Sequence, residues 1–238
     1  MRSLALITGG AQRIGAAIVE TLCTQGWDVA VHYSQSAHGA EALRKKWPQQ
    51  IAVFQANLSV ETEAKTLLLK AQTHFNCHVD LLINNAAQFK RDEWDTDDID
   101  LSTQHMSTNL RAPFLLAQSF AHQGTKGLIV NMLDQRVLNT TPHFISYSLS
   151  KSALWTLTQQ LALALAPKVR VNAIAPGFTL PSPEQSIEHF NKKAEEQPLK
   201  RSVSCEEISA ALLYLISAPS VTGAIIPIDA GQHLGWRT

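Results

Sequence analysis

Short runs of consecutive apolar residues alternate with stretches whose apolar positions recur every three or four residues, from one end of the chain to the other. The runs at 4–7 (LALI), 28–33 (DVAVHY), 51–55 (IAVFQ), 79–84 (VDLLIN), 127–132 (GLIVNM), 169–175 (VRVNAIA) and 222–228 read as strands buried on both faces. Residues 13–24 read as a helix, with Ile14, Ile18 and Leu22 on one face and Gly26 placed to end it. Further helices are predicted over 39–46, stopped by Pro48, and over 60–75, 99–122, 147–166, ended by Pro167, and 206–217. Residues 176–204 are polar and irregular, and Pro181, Pro183 and Pro198 bound a short helical piece within them. Strands that alternate with helices in this way predict repeated βαβ units, and so an α/β, doubly wound parallel sheet with helices on both faces. No linker or composition break divides the chain, so residues 1–238 are expected to form a single domain.

Composition narrows the function. The 238 residues are 45% hydrophobic and 17% charged, which excludes a disordered chain. Lys+Arg and Asp+Glu are 20 each, so the chain offers no broad attraction for nucleic acid or anionic membranes. Cys23, Cys77 and Cys205 are odd in number and far apart, against a disulfide framework or a cysteine zinc site. The nine His are scattered, and no metal site is expected. The opening apolar run ends at Thr8, too short for a signal peptide or a membrane span, so a soluble cytoplasmic protein is expected. The acidic run from Arg91 to Asp100 reads as a solvated loop and helix start.

Candidate chemistry begins at the first strand-to-helix turn, Thr8-Gly9-Gly10-Ala11-Gln12-Arg13-Ile14-Gly15. Glycines there let backbone approach a pyrophosphate, and the helix N-terminus supplies free N–H groups and positive potential. The spacing is not G-x-G-x-x-G, and the same residues also suit a plain tight turn. The second strand ends His32-Tyr33-Ser34-Gln35-Ser36, without the carboxylate that would hold an unphosphorylated ribose and repel a 2′-phosphate. Arg13 reads either as a bidentate partner for that phosphate or as a solvated helix residue. The missing acid favours NADP(H). Tyr147 and Lys151 stand at i and i+4 and share a helix face. An ammonium beside a phenol lowers its pKa and suits it to proton transfer near neutral pH.

With the glycine turn, Asn84-Asn85-Ala86 ending the fourth strand, Asn109 in the next helix, Tyr147/Lys151 and Pro176-Gly177 after the sixth strand, the whole chain resembles the short-chain dehydrogenases/reductases. The resemblance implies a Rossmann-type sheet of strand order 3-2-1-4-5-6-7 and a homotetramer. It implies a nicotinamide dinucleotide site formed by Gly9, Arg13, Ile14, Gly15, His32, Tyr33, Ser34, Ser36, Asn57, Leu58, Asn85, Ala86, Tyr147, Lys151, Pro176 and Gly177. Asn109 would hold a water in a proton relay to Lys151. The family usually ends its fifth strand with a Ser that polarises a carbonyl; Asp134 stands there in this chain. An ionised Asp repels a developing alkoxide but suits protonation of a ring nitrogen.

Asp134 is similar to the pattern of pteridine and dihydromonapterin reductases within the family. So are Arg13-Ile14-Gly15, the His32-Tyr33 and Ser36 pattern, and Phe89, placed to stack on a pterin. Asp134 also reads as a loop cap or a surface partner of Arg136, and Phe89 as loop packing. Ala87 replaces a Ser expected to bond the pterin, Gln35 replaces a basic residue, and Asn57 an Asp facing the adenine amino group. The resemblance implies transfer of the pro-S hydride of NADPH to a dihydropterin, such as dihydrobiopterin, dihydromonapterin or dihydrofolate. Catalysis falls to Asp134, Tyr147, Lys151 and Asn109, and substrate binding to Phe89, Asp134, Tyr147 and a loop over 178–204. The tail, with Trp236 and Arg237, is placed to cover a neighbour's site in a tetramer. A carbonyl reductase and a non-catalytic NADP-binding regulator are the rival readings.

Overall fold

A computed structural model of the chain describes residues 2–35, 37–181 and 185–235. Strands β1 (Leu4–Ile7), β2 (Asp28–Tyr33), β3 (Ile51–Gln55), β4 (Leu81–Asn84), β5 (Gly127–Met132), β6 (Val169–Pro176) and β7 (Ile225–Ile228) form one sheet in the order 3-2-1-4-5-6-7. Every pairing is parallel. Successive side chains point to opposite faces, so each strand feeds two cores. Ala5, Ile7, Val29 and Val31 meet α1 (Arg13–Thr24), α2 (Ala37–Lys46) and α8 (Cys205–Ser217). Leu4, Leu6, Leu82 and Ile129 meet α3 (Glu61–Phe75) and α5 (Ala112–Ala121) on the other side. A smaller cluster seats Leu154, on α6 (Ile145–Ala164), against Ala173 and Ala175. The strand order reverses between β1 and β4, so a crevice opens at their carboxyl ends, where such sheets bind ligands.

Several boundaries differ from the sequence reading for local reasons. The fourth strand starts at Leu81 rather than at 79, because the Val79 amide donates to the Gln123 side chain instead of a ladder partner. The seventh starts at Ile225, after Gly223 turns the chain at φ +71°. The helix expected over 99–122 is α4 (Ile99–Met106), a five-residue π-helical turn (Ser107–Arg111) and α5. The short helical piece expected within 176–204 is present as α7 (Ile187–Glu195), which buries Phe190 and Ala194, with Ser186 accepting from the His189 amide at its start. Pro183, Trp236 and Arg237 lie outside the described residues. Among the described residues no helix is long and apolar enough to cross a membrane.

Candidate active site

The glycine turn is fastened to the end of β4. Gly9 has φ +62°, and a Cβ on it would stand 2.9 Å from the Ala86 Cα. A Cβ on Gly15 would stand 2.2 Å from the Gly9 carbonyl oxygen. The Thr8 hydroxyl accepts from the Asn85 and Ala86 amides, each at 3.0 Å. Asn85 Nδ2 donates to the carbonyls of Thr8 and Gly9 at 3.0 and 2.9 Å. The first turn of α1, which includes Ile14, carries neither a side-chain cap nor an acidic residue. Its amides and dipole suit an anion, so these residues fit the pyrophosphate of a dinucleotide.

The adenosine corner departs from the sequence reading at four positions. His32 is a brace rather than a ligand contact: it is buried, its Nδ1 accepts from the Gly9 amide at 3.0 Å and its Nε2 donates to the Ala56 carbonyl at 3.0 Å. Burial lowers its pKa and keeps the ring neutral. Arg13 does not reach toward the end of β2. Its guanidinium donates to the carbonyls of Leu180 and Pro181, at 3.0 and 2.9 Å, in the loop after β6. Asn57 Oδ1, expected to face the adenine amino group, is taken by the Ser59 amide and hydroxyl at 3.1 and 2.8 Å. The Leu58 side chain sits in the core, which leaves only its backbone for a ligand. Tyr33 is half-buried against α1 and its neighbours, and Ser34 is exposed. Ser36 lies outside the described residues.

The reacting wall assembles from the end of β5 and the first turns of α6. Tyr147 is buried, and its hydroxyl donates to Asp134 Oδ2 at 3.1 Å. Lys151, also buried, donates to the Met132 carbonyl at 2.7 Å and stands 5.9 Å from the centroid of the Tyr147 ring. The expected lowering of the Tyr147 pKa is reversed. Burial raises it well above the ordinary phenol value, and the Asp134 charge and hydrogen bond add to the rise against the opposing Arg136. Burial pulls Lys151 down to about 8, against the opposing pull of Asp134. Tyr147 is therefore held protonated, as a donor.

Asp134 caps the short turn 135–137 and pairs with Arg136 at 2.9 Å, a pair mostly buried rather than on the surface as expected, alongside its contact with Tyr147. Asn109 sits in the π-helical turn, fully buried. Its side chain accepts from the Gln88 amide at 2.8 Å and donates to Ser150 Oγ and the Gln88 carbonyl at 3.0 Å each, fixing the chain that leads to Phe89.

Phe89 is half exposed and lies edge-on to Tyr147, with ring centroids 4.8 Å apart. Its ring is stacked on Phe144, at 4.9 Å and 7°. Phe144 was not legible as a site residue. It adopts φ +59° just before α6, a strained left-handed conformation for an aromatic, and periodicity carries no signal for it. His105 was also missed: it is fully buried, lies edge-on to Tyr147 at 5.9 Å and bonds Ser146 Oγ at 2.7 Å. Asp92, read as solvated, is buried and accepts from the Ser146 amide at 2.9 Å, anchoring the start of α6. Across the crevice, Pro176 ends β6, and Gly177 lies so close to Asp229 that a Cβ would stand 2.7 Å from the Asp229 Cβ.

Known proteins resemble this chain along nearly its whole length. A family model described as enoyl-(acyl carrier protein) reductase matches residues 9–233. Pteridine reductase 1 of Leishmania tarentolae is 29% identical over 97% of this chain and 96% of its own length. The 3-oxoacyl-[acyl-carrier-protein] reductase FabG of Staphylococcus epidermidis is 30% identical over 98% of this chain and all of its own. The crystal structure of FolM alternative dihydrofolate reductase 1 from Brucella suis in complex with NADP is 40% identical, with a TM-score of 0.94, over 99% of this chain and 97% of that one.

Proposed function

Because this chain belongs to the short-chain dehydrogenase/reductase family, we propose that it is an NADPH-dependent reductase acting on a dihydropterin. The observation that carries the reading is the wall of Tyr147, Asp134 and Phe89: a protonated phenol, a carboxylate where a carbonyl reductase has Ser, and an aromatic face beside them. NADPH, held by the glycine turn, Asn85, Ala86, Lys151, Pro176 and Gly177, supplies the hydride. Hydride and proton add across one C=N bond of the pterin ring, giving CH–NH. Tyr147 gives its proton to the ring nitrogen. Its high pKa makes the phenolate short-lived, and the Lys151 ammonium, charged below pH about 8, steadies it. Phe89 stacks on the pterin, its other face backed by Phe144. The described parts of the 178–204 segment, which carry α7, are assigned to the substrate side.

A second reading, ketone reduction, has one observation in its favour: Arg136 compensates the Asp134 charge that would repel an alkoxide. A homotetramer and a cytoplasmic location complete the proposal. The tetramer is supported by apolar side chains left exposed on α6, Leu149 and Leu163.

The test follows NADPH absorbance with dihydrobiopterin, dihydromonapterin, dihydrofolate and a ketone panel. Turnover of a pterin is expected. Tyr147→Phe and Asp134→Ala should each cut it about 10²-fold or more while NADPH binding stays nearly intact. Ketone turnover without pterin turnover would establish the second reading. Cofactor binding without any turnover would favour a regulator.

A further inference from the structure

The Asp134 carboxylate is bonded on every side. Oδ1 accepts from the Arg136 amide at 2.9 Å and from Arg136 Nη1 at 3.1 Å. Oδ2 accepts from Arg136 Nη1 at 2.9 Å and from the Tyr147 hydroxyl at 3.1 Å. An ionised carboxylate has about four acceptor positions, and these four bonds fill them. The guanidinium is itself held from a second direction. Its Cζ lies 5.0 Å from the centroid of Phe144 and 5.7 Å from that of Phe89, the two stacked rings of the same wall. Both partners of the pair are mostly buried, at 14% and 20% side-chain exposure, so solvent screens their attraction little.

We propose that Arg136 is a positioning residue for the reduction: it holds the Asp134 carboxylate in place as a filled acceptor, so that the one proton this wall offers substrate is the proton on Tyr147. The proposal rests on the reductase reading and deepens it, by dividing the roles of the Tyr147–Asp134 pair. A carboxylate free to turn would leave the Tyr147 hydroxyl without the acceptor that orients it. Arg136 prevents that through the two bonds of its Nη1. It also ties the acid to the Phe89 and Phe144 rings, so proton donor and aromatic face stay in register. Lysine cannot replace it fully, because the planar guanidinium that bonds the carboxylate through Nη1 also lies against the rings.

The other charged or titratable groups near the pair are Tyr147 and Lys151 from α6, His105 from α4 behind the Tyr147 ring and, across Phe144, Arg91 with its partners Glu93 and His143. Lys151 and His105 remain in every variant below and serve as an internal constant.

The test compares wild type, Arg136→Met and Arg136→Lys, all confirmed as folded by circular dichroism. Turnover of the preferred pterin is measured as kcat and KM separately. The ¹³Cζ resonance of Tyr147, one of three tyrosines in the chain, is followed as a report on the hydrogen bond to its acceptor. With Arg136→Met, kcat is expected to fall tenfold or more, with KM for the pterin and NADPH affinity within about twofold of wild type. The Tyr147 ¹³Cζ resonance should move as its acceptor comes loose. Arg136→Lys should bring the resonance back toward its wild-type position but not restore the full kcat. An unchanged ¹³Cζ resonance in Arg136→Met would overturn the proposal, whatever the loss of kcat. If wild type turned over no pterin, the reductase reading would fall, and the ¹³Cζ resonance would still decide whether Arg136 holds Asp134 against Tyr147.

Discussion

His32 spans three chain segments with one neutral ring, accepting from the glycine turn and donating to the loop after β3. Burial lowers its pKa below the ordinary imidazole value, so the unfolded chain takes up a proton that the folded one refuses. The stability this ring contributes is fully present above about pH 6.5 and is lost as pH falls toward its folded pKa. His105, also lowered by burial, acts with the same sign. Urea unfolding between pH 7 and 5 should therefore show stability falling with acid, and His32→Gln should flatten part of that slope. An unchanged slope in the variant would remove His32 as a source of it. At this scale the sequence was legible in identity more than in role. Tyr147, Lys151, Asp134 and Phe89 converge where motif and position put them. Which way Arg13 reaches, what saturates Asn57 and what Tyr147 gains from burial depend on contacts between distant segments, which spacing does not encode.

Helix α1 shows how one element serves two neighbours. Its glycine turn faces the cofactor side, while Arg13, at φ +54°, sends its guanidinium to the carbonyls of Leu180 and Pro181. In this arrangement the side chain is engaged by that loop rather than by the end of β2. Arg13→Ala should leave the ratio of NADPH to NADH affinity within about twofold of wild type, a change under about 0.5 kcal/mol. Isothermal titration with both cofactors measures it, and a collapse of the ratio would return Arg13 to the adenosine corner. The elements themselves were largely legible, because each strand is a continuous apolar run and each helix has its own period. The interruption of 99–122 was not. A π-helical turn leaves the apolar residues close enough to helical spacing that the sequence reads as one helix.

At the scale of the whole molecule, the parallel sheet and its two covering layers follow from alternation alone, while the strand order came from resemblance. The surface is harder to read, because an apolar residue on a helix looks the same facing a core or a neighbouring subunit. Leu163, 82% exposed on α6, and Leu149, 61% exposed on the same helix, are the apolar positions that the proposed tetramer is expected to cover. Sedimentation velocity is expected to give a tetramer for wild type and smaller species for Leu163→Lys; an unaltered tetramer would move the interface elsewhere. The π-helical turn also has a consequence for how substitutions travel through the molecule. One extra residue in a turn shifts the helix phase by roughly 100° about its axis. Upstream of it, α4 turns Leu101 and His105 inward, close to the Tyr147 ring; downstream, α5 turns Leu116 and Phe120 into the core under the sheet. A one-residue deletion within 107–111 would leave two regular helices fused in the wrong phase, able to satisfy the reacting wall or the core but not both. That segment therefore tolerates exchange of residues far better than any change in their number.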